Sequence, residues 1–418
     1  MELTAIAFLL GSAVAALPGT IPLEKITDNT MLPPGVSGSF FLGSRPVSCL
    51  GDVFFTALEE GNLIGLYAAT PQGLAVIANR TTPVPGSSAT FEDATRPDCG
   101  GDRLVFVGTY DRSPVTGHAG IYTFHQGSIS LPLLETGMPL GDSFIQNFSS
   151  LDANEMGVVA DPNLFPSTAK QVVVVKLFNG DPPFIVADRS TVLPGQTEPV
   201  TILDRPIFVG TDVYFHARTD EEIGIYRWRE GEGITLVADS LTPVPLPGQG
   251  SFGQDFGIFA NLGGRFVFEA TFLGGVGIFA FQDGEFEPVV LPGELTAQGA
   301  TLVSAAEPRG GGNLLTFIGR TEDFPFLDAV FVKQGDAPVR RILGVADTAE
   351  GHFVDGVESN ADDQDVFVWA QDLEFPGFQV IYRAQLAPAT DVPALSWFGA
   401  VALGLGLALA GRWALRRL

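Results

Sequence analysis

Short stretches in which apolar and polar side chains alternate recur along the chain. In one kind of stretch, such as VYFHA or FVFEA, the apolar side chains share a face and the last residue is Ala or Gly, a pattern typical of a strand packed in a sheet. Seven copies are found, at 53–57, 104–108, 156–160, 213–217, 266–270, 315–319 and 366–370. Their last residues are 49 to 57 residues apart, which indicates one repeating unit.

A second stretch, most often Gly-Ile-Tyr or a close variant of it, follows each copy of the first. Its copies occupy 65–67, 120–122, 173–175, 224–226, 277–279, 329–331 and 380–382. They are 51 to 55 residues apart. Because two different patterns share one period and one count, we expect seven structural repeats.

Each repeat has room for four strands. After the Gly-Ile-Tyr strand, a turn such as Asn179-Gly180 favours a tight hairpin into a third strand such as 234–239. A Pro- and Gly-rich link such as 241–250 leads to the remaining strand, for example 256–260. Four antiparallel strands in about 50 residues are typical of a propeller blade, whereas an immunoglobulin-like sandwich needs about 100 residues.

The phase of the repeats predicts how a ring of blades closes. The last repeat ends after the strand 379–386 and lacks an outer strand, while residues 21–28 form an isolated strand of that outer type. We expect these two segments to pair, with Ile26 beside Tyr382, because the pairing removes an exposed sheet edge. The sequence therefore predicts an all-β fold, a seven-bladed β-propeller of four-stranded blades over residues 17–388, closed by its terminal strands.

Apolar segments at both ends of the chain predict export and a membrane anchor. Residues 3–16 are apolar and include Ala13 and Ala15, which favours a cleavable signal peptide at 1–16. Residues 395–410 carry no charge and are followed by an arginine cluster at Arg412, Arg416 and Arg417. This pattern is typical of a transmembrane helix whose basic end stays in the cytoplasm, so residues 389–418 are predicted to anchor the propeller outside the inner membrane.

The C-terminal segment resembles known sorting signals. Val392, Pro393 and Ser396, the apolar span and the terminal arginines are together similar to the IPTL-CTERM tails of Gram-negative bacteria, relatives of the PEP-CTERM tails that exosortase-type proteases handle. The resemblance covers only the end of the chain and lacks the Pro-Glu-Pro triplet of the better-known class. It implies display on the bacterial cell envelope or outside the cell, with a sorting protease as one partner.

Composition and charge narrow the classes of partner. The 418 residues include 50 Gly, 30 Pro and 33 Phe, which suits short strands and many turns. The formal net charge is −25, so the surface repels nucleic-acid phosphates, and no nucleic-acid partner is expected. The negative charge serves either solubility or the recognition of cationic ligands or calcium.

Few residues have the types and spacing that catalysis requires. The four histidines are scattered, and the GxSxG, HExxH and P-loop patterns are absent, so no catalytic residue is predicted. Cys49 and Cys99 occupy corresponding turns of the first two repeats and form either a disulfide or two separate buried thiols.

Acidic residues leave the question of a metal open. The segments 220–222 and 362–365 are rich in carboxylates, which calcium prefers, although an EF-hand pattern is absent. Acidic residues also recur just before the small-ending strand, which favours turn capping, at Asp52, Asp102, Asp212 and Asp365. No cofactor other than calcium is expected.

Three loops between the first two landmark strands contain Phe-Pro. Their phenylalanines are Phe165, Phe324, Phe326, Phe375 and Phe378. They form either an exposed recognition patch or a set of rings folded over their own blades.

The leading functional hypothesis is an exported, membrane- or surface-anchored propeller that acts as a non-enzymatic binding or envelope-matrix module for an unknown protein or polysaccharide. A purely structural matrix component is a further hypothesis. The alternative is a secreted enzyme, a polysaccharide lyase or glycosidase, with acidic residues lining the axial channel.

Overall fold

The computed structural model describes residues 21–386, apart from 39, 44, 50, 112–116, 166–169, 221, 350–351, 355, 362–364 and 373–377. The chain divides into two compact units, Met1–Gln385 and Leu386–Leu418. The predicted signal peptide and the predicted membrane and sorting tail lie outside the described residues. Within those described, no helix is long and apolar enough to cross a membrane.

The described part of the first unit is an all-β propeller with seven blades, each an antiparallel sheet of four or five strands. The first strand of the chain, β1 (Leu23–Asp28), belongs to blade 7. Blade 1 contains β2 (Phe41–Leu42), β3 (Val47–Cys49), β4 (Asp52–Glu59), β5 (Leu63–Thr70) and β6 (Gly73–Ala78). Blade 2 contains β7 (Asp93–Gly100), β8 (Arg103–Tyr110), β9 (His118–His125), β10 (Ser128–Ile129) and β11 (Leu134–Glu135). Blade 3 contains β12 (Pro139–Leu140), β13 (Ser143–Ala153), β14 (Gly157–Phe165), β15 (Lys170–Leu177) and β16 (Phe184–Asp188).

The remaining blades have four strands each. Blade 4 contains β17 (Ile202–Val209), β18 (Asp212–Arg218), β19 (Ile223–Arg229) and β20 (Gly233–Asp239). Blade 5 contains β21 (Phe256–Leu262), β22 (Arg265–Phe272), β23 (Gly275–Gln282) and β24 (Glu285–Val290). Blade 6 contains β25 (Leu302–Gly311), β26 (Leu314–Thr321), β27 (Phe324–Gln334) and β28 (Arg340–Gly344). A hairpin of β29 (Thr348–Ala349) and β30 (His352–Phe353) precedes blade 7, which contains β31 (Gly356–Ala361), β32 (Val366–Asp372), β33 (Phe378–Ala384) and β1.

The strands of each blade are called A to D in the order of the repeat, with β1 as strand D of blade 7. Strand A of each blade contacts strand A of the next, from β7 through β13, β17, β21 and β25 to β31, and β31 contacts β3 of blade 1. The A strands therefore surround the axis, and the D strands lie outermost. The A–B and C–D connections lie on one face of the disk, called the turn face, and the B–C connections and D–A links lie on the other, called the loop face.

The termini close the ring as the sequence predicts. Strand β1 pairs antiparallel with β33, with Lys25 opposite Tyr382 and Thr27 opposite Ile381, so Ile26 lies beside Tyr382. The Gln385 N–H extends this pairing by donating a hydrogen bond of 2.8 Å to the Pro22 carbonyl. Because β33 ends on the turn face, the described ends of the first unit, Ile21 and Gln385, both lie on that face.

A cross-strand aromatic pair between strands B and C recurs in five blades and accounts for the Gly-Ile-Tyr pattern. The paired rings have centroids 5.5 to 6.1 Å apart, in Phe55–Tyr67, Phe106–Tyr122, Phe215–Tyr226, Phe268–Phe279 and Phe317–Phe331. In three of these blades the strand-C ring is a tyrosine that lies over the glycine two residues before it. A Cβ added at Gly120 would lie 2.9 Å from the Tyr122 ring, and one at Gly224 would lie 3.1 Å from the Tyr226 ring. The glycine therefore leaves room for the aromatic ring in the packed blade.

The third repeat departs from the predicted alignment. In blades 2 and 4 the small residue pairs with the glycine two positions before the tyrosine, as in Gly108 opposite Gly120. The same rule would place Ala160 opposite Val173, but Ala160 pairs with Val174, so the small residue of this repeat is displaced by one position. In the same blade, the pairing of β13 with β14 contains two register irregularities.

Candidate functional site

Nearly all the large apolar side chains that are exposed in the described residues lie on the loop face. This set comprises Met31, Leu32, Phe41, Phe144, Phe165, Val192, Leu241, Leu273, Leu295, Val303, Phe324 and Phe326. Among the large apolar side chains described as exposed, only Leu131, Ile185 and Leu236, on outer D strands, lie elsewhere. We call the loop-face set the apolar rim. Exposed apolar side chains that gather on one face of a protein are candidates for a contact site.

The D–A links that carry much of the apolar rim are locally ordered. An Asp or Asn at the end of strand D accepts a hydrogen bond from the N–H two residues later, at 2.9 Å from Ser190 to Asp188 and 3.0 Å from Leu241 to Asp239. Isolated β-bridges then close the links, at Val192–Pro199, Pro243–Ser251 and Leu295–Thr301. Because this turn needs a side-chain oxygen, an Asp or Asn recurs at the end of strand D. The links hold apolar side chains outward, and Leu241 is 70% exposed.

The structure places the predicted recognition phenylalanines on this face where it describes them. Phe165 ends β14 of blade 3, while Phe324 and Phe326 begin β27 of blade 6. Phe326 is 87% exposed, and Phe378, at the start of β33, is half-buried. Phe375 lies outside the described residues. Sequence reasoning did not identify Leu241, Leu273 and Leu295 as exposed residues of this face. Leu241 and Leu295 lie in the repeated D–A links, which the sequence pattern could have pointed to.

Acidic side chains predominate around the apolar rim. Exposed carboxylates of the loop face include Asp111, Asp142, Glu198, Asp220, Asp255, Glu322 and Asp323. Two arginines of this face have carboxylate partners, since Arg80 lies 3.5 Å from Glu59 and Arg320 lies 2.7 Å from Asp328. The loop face thus combines apolar contact groups with a negative surround.

A second group of polar residues surrounds the axis, on the A strands. Arg45, Arg96, Arg205 and Glu307 have φ between 51° and 65°, a conformation that costs a non-glycine residue about 1–3 kcal/mol. Each is followed by proline, and three of them lie where the pairing of strand A with strand B shifts register. The sequence contained this signal, because Arg-Pro or Glu-Pro recurs 51, 109 and 102 residues apart, or about one or two repeat periods.

Three of these bulge residues link neighbouring blades. The Arg205 guanidinium donates to the carbonyls of Phe256, at 3.1 Å, and Gly257, at 2.6 Å, both in blade 5. The Arg96 guanidinium donates to the Phe148 carbonyl of blade 3. Arg45 forms an ion pair of 3.3 Å with Glu358 of blade 7. The arginines thus join adjacent A strands around the ring.

Two carboxylates from adjacent blades come together at the axis. Asp98 of blade 2 accepts a hydrogen bond of 2.7 Å from the Ala153 N–H, and Asp152 of blade 3 accepts one of 2.7 Å from the Phe208 N–H. Burial raises the pKa of both carboxyls, and the charge of Asp98 raises the pKa of Asp152 further. Both side chains remain partly accessible.

A nearby acidic group is more enclosed. Burial is the main cause that raises the pKa of Asp161 to about 6, and the charge of Asp204 adds to this increase. Asp161 is only 2% exposed and accepts a hydrogen bond from the Ser150 N–H, so it lies inside the protein rather than on a ligand-accessible surface. Asp204 lies 2.7 Å from Nδ1 of His216. These contacts hold the A strand of blade 3 and the A–B pair of blade 4.

The cysteines and the recurring acidic residues have structural contacts. Cys49 and Cys99 form a disulfide with Cα atoms 5.5 Å apart, between the A strands of blades 1 and 2. Asp212 binds Arg229 through two contacts of 2.7 Å, and Asp365 lies 3.6 Å from Arg383. In the part of the chain that is described, no group of three or more His, Cys, Asp or Glu could hold a metal ion. The calcium hypothesis stays a prediction, since Glu221 and residues 362–364 lie outside that part.

The fold is similar to that of known propellers, but the comparisons do not assign this chain to a family. The β-propeller domain of the Trilobed protease from Pyrococcus furiosus matches with a TM-score of 0.53 and 11% identity, over 83% of this chain and 96% of that chain. Pyrococcus horikoshii acylaminoacyl peptidase matches with a TM-score of 0.48 and 14% identity, over 79% of this chain and 49% of that one. TolB from Acinetobacter baumannii matches with a TM-score of 0.38 and 11% identity, over 83% and 79%. No protein-family model and no curated protein matches the sequence. The first likeness shows the propeller fold alone.

Proposed function

We propose that this chain is an exported, membrane- or surface-anchored β-propeller that acts as a non-enzymatic binding or envelope-matrix module through its loop face. The observation that supports this proposal is the concentration of exposed large apolar side chains in the apolar rim. Removing such side chains from water on contact with a partner contributes about 25 cal/mol per Å² of apolar area. The ordered links present the rim with little further loss of conformational entropy.

The partner that fits this face best is a protein surface with apolar side chains flanked by basic residues. The carboxylates around the apolar rim attract a basic partner and speed its association at low salt. They repel a second copy of the same face, and they also repel an anionic lipid surface. We therefore place protein recognition ahead of self-association, with polysaccharide binding as an outcome that the experiments below can distinguish.

The proposed location follows from the two ends of the sequence. A signal peptide at 1–16 would export the propeller, and the segment 389–418 would hold it at the membrane until a sorting protease acts. Both described ends of the first unit, Ile21 and Gln385, lie on the turn face.

Site-specific photo-crosslinking in cells tests the proposal. A photoreactive phenylalanine at position 326 is expected to crosslink to a partner, which mass spectrometry identifies and which is then purified. The double variant L273S/F326S is expected to bind that partner at least tenfold more weakly, because it removes two side chains that are 80% and 87% exposed.

A matched control replaces apolar side chains of similar size away from the loop face. Ile185 and Leu236 are 37% and 38% exposed on outer D strands, so I185S/L236S should bind the partner as the unchanged chain does. Equal weakening by both double variants would contradict the loop-face proposal. Binding of glycans on an array that L273S/F326S abolishes would move the assignment from protein to polysaccharide.

The second candidate function is an enzyme that acts on polysaccharide, and one observation favours it. Asp98 and Asp152 meet at the axis with raised pKa values, as a pair of carboxyls in glycoside hydrolysis would require. Both already accept backbone hydrogen bonds from neighbouring blades, which also gives them a structural role. Release of reducing ends or unsaturated sugars by the purified chain, lost in D98N, would establish this function instead.

A further inference from the structure

The most exposed large apolar side chain of the described residues, Phe326, lies in the B–C hairpin of blade 6. This hairpin joins β26 to β27 on the loop face. Phe326 is 87% exposed and Phe324 is 56% exposed, with Pro325 between them. Because the Phe326 ring has so little cover within its own chain, most of its apolar area is available for burial by a partner.

A register irregularity separates this part of β27 from the regular sheet. Four residues of β27, 325–328, stand opposite a single residue of β26, Arg320. On the outer side of β27, β28 pairs only with residues 329–332. The segment 325–328 therefore lies outside the regular pairing on both sides, in the way that β-bulges change the direction of side chains.

Three features hold the irregular segment in one conformation. The Arg320 side chain donates a hydrogen bond of 2.7 Å to the Asp328 carboxylate, which joins the two sides of the irregularity. The Asp328 carbonyl accepts a hydrogen bond of 2.9 Å from the Val345 N–H. Pro325 restricts its own φ angle. A side chain that is already held in place loses less conformational entropy when a partner binds it.

Other members of the apolar rim border this hairpin. The Glu322 N–H donates a hydrogen bond of 2.9 Å to the Thr301 carbonyl, and Thr301 forms an isolated bridge with Leu295. Leu295 is 62% exposed, and Val303, two residues after Thr301, is 37% exposed. A partner that encloses Phe326 would therefore find further apolar side chains beside it.

The hairpin also carries negative charge next to its exposed rings. Glu322 and Asp323 directly precede Phe324, and both are exposed. The arginine of the hairpin, Arg320, is bound to Asp328. Within the described residues, no lysine or arginine forms an ion pair with Glu322 or Asp323. The two carboxylates are thus available to basic groups of a partner.

We propose that Phe326, together with Phe324, is an anchor that inserts into a concave apolar pocket of a partner protein, with basic residues of that partner opposite Glu322 and Asp323. The proposal rests on the proposed function, because it specifies the kind of partner that the apolar rim binds. A flat surface covers one side of an exposed ring, whereas a pocket removes nearly all of it from water and forms a stronger contact. A second copy of the loop face fits less well, because it brings its own carboxylates against Glu322 and Asp323.

A synthetic host with the proposed chemistry tests the anchor directly. Amino-substituted β-cyclodextrin has an apolar cavity bordered by ammonium groups, and neutral β-cyclodextrin has a similar cavity without them. With para-fluorophenylalanine at position 326 of the full chain, the fluorine NMR resonance is followed as each host is added. We expect a saturable shift and at least about fivefold tighter binding of the cationic host at low salt. The difference should disappear in about 1 M NaCl, where the Debye length is about 3 Å.

Two controls locate the effect. E322Q/D323N keeps the rings and removes the charges, so it should bind the two hosts about equally. The same fluorinated residue at position 165 replaces a ring that is 56% exposed in blade 3, and it should bind the cationic host at least about fivefold more weakly than position 326 does.

The partner identified by crosslinking provides a second measurement. F326A should weaken its binding about 30-fold or more, as expected when one side chain dominates an interface. L241A removes a side chain that is 70% exposed elsewhere in the apolar rim, and it should weaken binding about threefold or less.

Three results would overturn the anchor. The first is the absence of a shift at position 326, or equal binding of both hosts by the unchanged chain at low salt. The second is an equal loss of partner binding in F326A and L241A, which would leave the rim as the binding face without a dominant side chain. The third is dimerisation of the unchanged chain in sedimentation that F326A abolishes, which would make a second copy the occupant. Failure of the proposed function appears differently, as equal weakening by L273S/F326S and I185S/L236S.

Discussion

Single small residues in strand B determine how closely the blades pack. Ala270 is fully buried and contacts the aromatic cluster that joins blades 4 and 5, which includes Phe252, Phe256 and Phe268. Protein interiors are packed to nearly crystalline density, so a larger side chain at this position has no free volume to occupy. The sequence-derived rule that strand B ends in Ala or Gly thus has a packing cause.

We expect Ala270→Leu to lower the free energy of unfolding by about 1–3 kcal/mol, because the added methyl groups must displace buried rings. Thermal unfolding measures the change. The matched control is Ala297→Leu, since Ala297 is exposed in a D–A link, and it should leave Tm nearly unchanged. Equal Tm values for the two variants would argue against close packing around Ala270.

Three carboxylates with raised pKa values give stability a defined pH dependence. The folded pKa of Asp152 is raised by burial, and the pKa values of Asp98 and Asp161 are raised in the same direction. Between the ordinary pKa of 3.8 and these raised values the folded state therefore holds protons that the unfolded state has released. Their contribution makes the protein more stable at the acidic end of this range and less stable as pH rises.

Replacing Asp152 by Asn should reverse part of that loss. Asn keeps an oxygen that accepts from the Phe208 N–H but has no charge to bury. We expect a higher Tm than the unchanged chain at pH 8 and a flatter Tm between pH 5 and 8. Asp323→Asn removes an exposed charge and should keep the original slope. A lower Tm for D152N across the whole range would show that the carboxylate, despite its burial, stabilises the fold.

At the scale of elements, one covalent link reinforces the contact between the first two blades. The Cys49–Cys99 disulfide closes a segment with a sequence separation of 50, and a loop of that length gives a chain-entropy stabilisation of about 4 kcal/mol at most. We expect dithiothreitol to lower the Tm of the unchanged chain but not that of C49S/C99S. If Tm stays constant while mass spectrometry shows full reduction, the disulfide has no stabilising role.

Elements with a strong local signal were predictable, and those governed by contacts between blades were not. Strand C could be found because Gly120 and Tyr122 must occur together, and β1 could be paired with β33 because one repeat lacks an outer strand. The register of β14 against its neighbours could not be predicted, because neither the two irregularities in its pairing with β13 nor the pairing of Ala160 with Val174 leaves a mark in the sequence pattern. The axial arginines lay in a visible Arg-Pro repeat, but their partners, such as the Phe256 carbonyl, depend on how blades meet. Exposure of Phe326 likewise depends on the whole loop face.

At the scale of the whole described propeller, the ring has one point where two ends of the chain must meet. Elsewhere the four strands of a blade follow each other in sequence, but blade 7 takes its outer strand from the N-terminus. Contacts then continue into blade 1, through the Arg45–Glu358 ion pair and a 3.0 Å hydrogen bond from Asn360 to the Pro46 carbonyl. The noncovalent β1–β33 pairing therefore closes both a blade and the ring.

Opening this closure should release the last blade before the others. In Lys25→Pro the proline ring cannot donate a backbone hydrogen bond and disturbs the pairing of β1 with Tyr382. We expect faster hydrogen exchange of the β33 amides and a lower Tm, while amides of β18 and β22 in blades 4 and 5 keep their protection. Lys25→Thr, which keeps the N–H, serves as the control and should exchange as the unchanged chain does. If K25P accelerates exchange equally in all blades, the ring unfolds as one cooperative unit, and the terminal strand acts on every blade rather than on blade 7 alone.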